Sequence, residues 1–174
     1  MDILSHTQER YFTLEEGCDL TDEIAEGLIR TVIKNAKILV TEPKNYEARA
    51  NVMWASSVSH NGLTGCGISK GDFVSHALEH ELGGLYDVAH GAGLAVVMPA
   101  WMEFVYKHNV MRFAQMAVRI WGCEMNFENP EFTALQGIKC FRTFLHNIGM
   151  PINFEELGAK AEDIPKMVDK VGLG

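Results

Sequence analysis

The 174-residue sequence is poor in the features that announce several common functions. Lys and Arg number 15 against 23 Asp and Glu, giving a net charge of −8 and a pI near 5.3. The basic residues form no cluster, which a phosphate-binding surface requires, so nucleic acid is not expected as a partner. No apolar run approaches the ~20 residues of a bilayer span, and no membrane partner is expected. Met1 is followed directly by acidic and polar residues rather than by a basic and then apolar leader, so no secretory signal is read and a cytoplasmic location is expected. The four cysteines, Cys18, Cys66, Cys123 and Cys140, form neither a C-x-x-C pair nor a compact disulfide framework, and reduced thiols fit that scatter.

Several catalytic signatures are also missing. There is no G-x-S-x-G, and no Cys–His pair is marked as nucleophilic. His80-Glu81 starts like the zinc-protease H-E-x-x-H, but Gly84 stands where the second histidine belongs. Gly65-x-Gly67-x3-Gly71 and Gly91-x-Gly93 have neither the spacing of a dinucleotide loop nor the strand-to-helix setting it needs. Glycine in a turn, where φ is positive, is the simpler explanation.

What is present is helical periodicity over almost the whole chain. The pattern predicts helices over 2–11, from Thr21 as N-cap to Pro43, over 46–60, 73–85, from about 91 to an end before or a kink at Pro99, over 101–121 and 131–148, with shorter ones at 155–161 and 164–171. Ile24, Leu28, Ile29, Val32, Ile33 and Leu39 form a wide apolar stripe. Ile38-Leu39-Val40 and Ala95-Val96-Val97 read as buried helix faces rather than strands. The expectation is one all-α domain over residues 1–174.

The remaining signal is histidine. His76, His80 and His90 fall within fifteen residues, and Asp2-x3-His6 opens the chain. The pairs Asp2/His6 and His76/His80 share the i, i+4 spacing that puts both side chains on one helix face. Imidazoles joined by a carboxylate suit a divalent metal ion of intermediate softness. His60, His108 and His146 have no partner pattern and read as surface or satisfied core histidines. Met98, Trp101 and Phe104 follow the cluster and are candidates to wall a pocket.

Three stretches carry a resemblance: Asp2-Ile3-Leu4-Ser5-His6, His76-Ala77-Leu78-Glu79-His80-Glu81-Leu82, and Tyr86-Asp87-Val88-Ala89-His90-Gly91-Ala92-Gly93-Leu94. In these the chain resembles the iron-containing (group III) alcohol dehydrogenases, in their butanol-dehydrogenase-like branch. It is similar to their C-terminal helical domain, whose architecture dehydroquinate synthase shares. The family's pattern sets Asp-x3-His about seventy residues before two histidines fourteen apart. Here His6 to His76 is 70 positions and His76 to His90 is 14.

The resemblance implies that Asp2, His6, His76 and His90 hold one divalent ion, Fe²⁺ or Zn²⁺. It gives His80 a catalytic place near the nicotinamide without making it a ligand. It implies an NAD(P)-dependent alcohol dehydrogenase interconverting small primary alcohols and aldehydes. The family's N-terminal nucleotide-binding domain is absent from these 174 residues, so the chain reads as truncated. Alone it is expected to be inactive and to self-associate through the face the missing domain covers. Two alternatives stay open: a dehydroquinate-synthase-like lyase domain, whose phosphate-ester substrate needs a basic pocket, and a helical module without catalysis.

Overall fold

A computed structural model describes residues 1–68 and 71–171. Nine α-helices follow one another, and there is no strand among the described residues. They are α1 (Asp2–Tyr11), α2 (Asp19–Thr41), α3 (Tyr46–His60), α4 (Val74–Tyr86), α5 (His90–Val105), α6 (Val110–Trp121), α7 (Pro130–Asn147), α8 (Phe154–Leu157) and α9 (Ile164–Val171). None is long and apolar enough to cross a membrane.

Asparagine starts several of them. Asn45, Asn109 and Asn129 each accept a hydrogen bond from the amide three residues on, satisfying donors that the helix leaves unpaired. Pro130 follows at the first position of α7, where the missing N–H costs nothing. The capping by Asn109 also breaks the single helix expected over 101–121. A short 3₁₀ turn, Tyr106–Asn109, separates α5 from α6 there. Of the two outcomes left open at Pro99, a helix end is excluded, because α5 runs through it.

Two further expectations are corrected at α2. Its N-cap is Cys18, not Thr21. Thr21 lies inside the first turn, and its hydroxyl donates to the Cys66 carbonyl at 2.7 Å, tying the start of α2 to the loop after α3. At the other end Val40 is 53% exposed, so the buried stripe of α2 stops short of it.

The core lies where α1, α2, α5, α6 and α7 meet. Leu4, Tyr11, Ile29, Met98, Met102, Met116, Phe141 and Leu145 are almost wholly enclosed. Each such side chain contributes about 1.5–3 kcal/mol of burial. The α6–α7 crossing is close because residue 137 is glycine: a Cβ there would stand 2.9 Å from the Ala117 Cα. Trp101 and Phe104 line an apolar groove of about 890 Å³ between α4, α5 and α9, while Met98 is buried in the core instead. Tyr46, Met53 and Trp54 leave an exposed apolar face on α3.

The organisation of α1 is the unusual feature. Its sequence is polar, yet Ser5, Thr7, Gln8 and Glu9 are buried, and it packs against α2, α3, α4 and α5. A polar helix at the centre of a fold is costly unless its groups are satisfied or serve a site. At its C-terminal end Tyr11 donates to Glu26 at 2.8 Å, and the Arg112 guanidinium lies over the Tyr11 ring while paired with Asp22. That anchor, on the far side from the histidines, fixes the helix that presents Asp2 and His6.

Candidate metal centre

Four elements bring the histidines together. The first turns of α1 carry Asp2 and His6. The N-terminal half of α4 carries His76 and His80. Asp87 closes α4 in the left-handed region (φ 51°), turning the chain so that α5 can begin at His90. The end of α3 carries His60.

The geometry centres on one oxygen. Asp2 Oδ1 stands 3.0 Å from His6 Nδ1, 3.2 Å from His76 Nε2 and 3.5 Å from His90 Nε2. Four ligands held about 2.1 Å from a tetrahedral ion are separated by about 3.4 Å. The donor atoms of Asp2, His6 and His76, all within 4.8 Å of one another, suit a divalent ion in spacing, and three imidazoles with one carboxylate suit it in chemistry. The structure thus gathers Asp2, His6 and His76 into one group, and His90 reaches it through the same Asp2 oxygen. His80 is exposed, with its ring centre 5.6 Å from that of His90 and 6.4 Å from that of His76. Glu79, His80 and His90 form a second group whose donor atoms lie within 4.8 Å of one another. Glu79 in that group is already bonded to His90 Nδ1.

Two buried carboxylates hold the rings. Glu9 bonds His76 Nδ1 with one oxygen and accepts the His76 backbone N–H at 3.2 Å with the other. That amide lies in the first turn of α4, so Glu9 both caps α4 and orients its histidine. Glu79 bonds His90 Nδ1 in the same way. A carboxylate on Nδ1 fixes the tautomer, aims Nε2 at the centre and strengthens it as a donor. Neither glutamate was expected from the sequence. Glu79 is three residues after His76 and Glu9 three after His6, a spacing consistent with a shared helix face but common in any helix.

His60, expected to have no partner, belongs to the cluster. Its Nε2 is 3.1 Å from Asp2 Oδ2, and its ring centre is 4.1 Å from that of His6. His108 and His146 are exposed as expected.

Charge in the cluster follows from these contacts. Burial works to raise the Asp2 pKa, but its hydrogen bond to His76, aided by His6 and His60, prevails and holds the carboxyl below its ordinary range. Burial lowers the His6 pKa, and the neighbouring His76 and His60 rings add to that against the pull of Asp2. For His76, burial is outweighed by the bonds to Glu9 and Asp2, and its pKa is raised.

The sequence signature described as the Fe-containing alcohol dehydrogenase family, C-terminal, matches residues 1–172. The chain is 40% identical over 167 residues to NADH-dependent butanol dehydrogenase A of Clostridium acetobutylicum, a match covering 95% of this chain and 42% of that protein. It is 33% identical over 174 residues to the NADPH-dependent aldehyde reductase YqhD of Escherichia coli, covering 98% of this chain and 43% of that protein. Among solved structures, the NADH-dependent butanol dehydrogenase A of Thermotoga maritima superposes with a TM-score of 0.92 at 42% identity, over 99% of this chain and 42% of the other. The chain thus spans about two fifths of the length of the relatives it matches.

Proposed function

The chain belongs to the Fe-containing alcohol dehydrogenase family, matching its C-terminal part, and on that premise we propose that it is the metal-binding part of an NAD(P)-dependent dehydrogenase of small primary alcohols and aldehydes. The observation that carries the reading is the convergence of His6, His76 and His90 on Asp2 Oδ1. These four residues are the proposed ligands. Fe²⁺ and Zn²⁺ both accept this donor set. A divalent ion bound there supplies Lewis-acid polarisation of the alcohol or carbonyl oxygen.

The chain's own residues prepare that site. Glu9 and Glu79 hold His76 and His90 with their Nε2 atoms turned inward. The buried, polar α1 keeps Asp2 and His6 in register against them. His80, exposed beside His90, is placed to carry a proton at the edge of the site without donating to the ion. Positioning of this kind is the protein's main contribution where a cofactor carries the hydride.

The test uses the 174-residue chain titrated with Co²⁺ and Zn²⁺, with metal content and the Co²⁺ visible spectrum as readouts. One equivalent is expected to bind. Asp2→Asn and His76→Ala should each abolish it, and His80→Ala should leave it intact. Retention of the ion by His76→Ala, or its loss from His80→Ala, would overturn the ligand assignment. Activity is tested by grafting the chain in place of the matching part of the Clostridium enzyme. The graft should reduce butanal with NADH, and His80→Ala should slow turnover without removing metal. A graft that folds and takes up metal but reduces no aldehyde would refute the proposed activity.

A further inference from the structure

We propose that His60 is a positioning residue of the metal centre: it clasps the outer oxygen of Asp2, so that the carboxylate meets the centre through Oδ1 alone. The proposal rests on the reading of Asp2 as a ligand and adds a residue from a different helix to it.

The two oxygens of Asp2 have separate partners. Oδ1 faces His6, His76 and His90. Oδ2 faces His60 Nε2 at 3.1 Å. An ionised carboxylate only accepts hydrogen bonds, so Nε2 carries the proton. On the other side of the ring, His60 Nδ1 lies 2.8 Å from the Ser56 carbonyl and 2.7 Å from the Ser59 hydroxyl, which itself donates to that carbonyl at 2.9 Å. Ser59 is fully buried, and Arg10 donates to its carbonyl and, at 3.2 Å, to the Thr64 hydroxyl. The His60 ring is therefore seated on the last turn of α3, which Arg10 ties back to α1.

The need for a clasp follows from the position of Asp2. It is the first residue of α1, where a helix frays most readily. A free carboxylate there can rotate and offer either oxygen, or both, to an ion. His60 closes the end of α3, which packs directly on α1. Its bond ties the fraying end to a second helix and removes one oxygen from competition. His60 meets Oδ2, not the Oδ1 that His76 and His90 face, which is the place of an orienting group rather than of a ligand.

The experiment compares the wild-type chain with His60→Leu and His60→Gln, using Co²⁺ as the probe. Circular dichroism confirms that each variant folds. Affinity is read by competition with a chelator, coordination by the visible spectrum, and nitrogen ligands by X-ray absorption. His60→Leu should weaken Co²⁺ binding by about 10- to 100-fold and alter the visible band as Asp2 becomes free to use both oxygens. His60→Gln, whose amide can donate to Oδ2, should recover part of both. Wild-type affinity and spectrum in His60→Leu would overturn the proposal. So would loss of one nitrogen ligand in that variant, since His60 would then bind the ion itself. If the wild type takes up no Co²⁺, the metal reading fails by itself. The clasp is then decided by amide exchange in the first turn of α1, which His60→Leu should accelerate; unchanged exchange would overturn it.

Discussion

Gly93 leaves the space that Glu79 occupies: a Cβ at residue 93 would stand 2.5 Å from Glu79 Oε1 and 2.7 Å from its Cγ. The glycine of Gly91-x-Gly93 thus has a packing function on the site. It lets α5 approach α4 closely enough for Glu79 to reach the ring of His90.

Gly93→Ala should therefore destabilise the fold by about 1–3 kcal/mol, because Glu79 is hemmed in and cannot give way. Gly83 likewise leaves room for Glu79, since a Cβ there would lie 3.0 Å from the same oxygen. Gly84→Ala is the control. Nothing lies within 4 Å of a Cβ there, so it should gain up to about 1 kcal/mol of helix propensity. Urea unfolding of the two variants distinguishes the effects. Equal stability for both would show that the contact is relieved at no cost.

Glu9→Gln keeps the size of the side chain but leaves only one acceptor for two donors, the His76 amide and ring. A fold stability loss of about 1–3 kcal/mol is expected from the buried donor left unpaired. Metal affinity should fall by about 10- to 100-fold as His76 loses its orientation. Chelator competition and denaturant melts measure the two effects separately.

Cys123 should be slow toward thiol reagents. Burial first, and then the neighbouring Cys140, push its thiol up to about 11. A raised pKa keeps the neutral thiol below that pH, so at about pH 8 the reactive thiolate is roughly 100-fold scarcer than for a free cysteine. Iodoacetamide labelling followed by mass spectrometry should modify the exposed Cys66 first, with Cys123 reacting only as pH approaches 11. Rapid labelling of Cys123 at about pH 8 would contradict this.

The 174 residues alone should not reduce butanal with NADH or NADPH, whatever metal is added. Among the described residues, Gly62 and Gly67 adopt positive φ to turn the chain after α3, and Gly93 makes room for Glu79, so these glycines have local roles other than cradling phosphate. Without a held nicotinamide, the proximity on which hydride transfer depends is missing. Nicotinamide absorbance followed with excess aldehyde and Fe²⁺ or Zn²⁺ checks this. Metal-dependent turnover would reveal a cofactor site that these glycines do not mark.

The sequence by itself determined the all-α class and the bounds of helices such as Asp2–Tyr11 and Tyr46–His60, because hydrophobic period and terminal residues act within a few positions along the chain. It also paired Asp2 with His6 on one helix face, since i, i+4 geometry is local. The resemblance added His76 and His90 to that pair, and only the tertiary structure brought in His60 and Glu9. His60 reaches Asp2 across 58 positions and Glu9 reaches His76 across 67. No local period links residues on different helices; their meeting depends on how α1 packs against α3 and α4. The same packing turns the polar sequence of α1 inward, against its own hydropathy: Glu9 and Tyr11 are held by partners on α4 and α2, while Ser5 Oγ and the Gln8 amide are buried without one among the described residues.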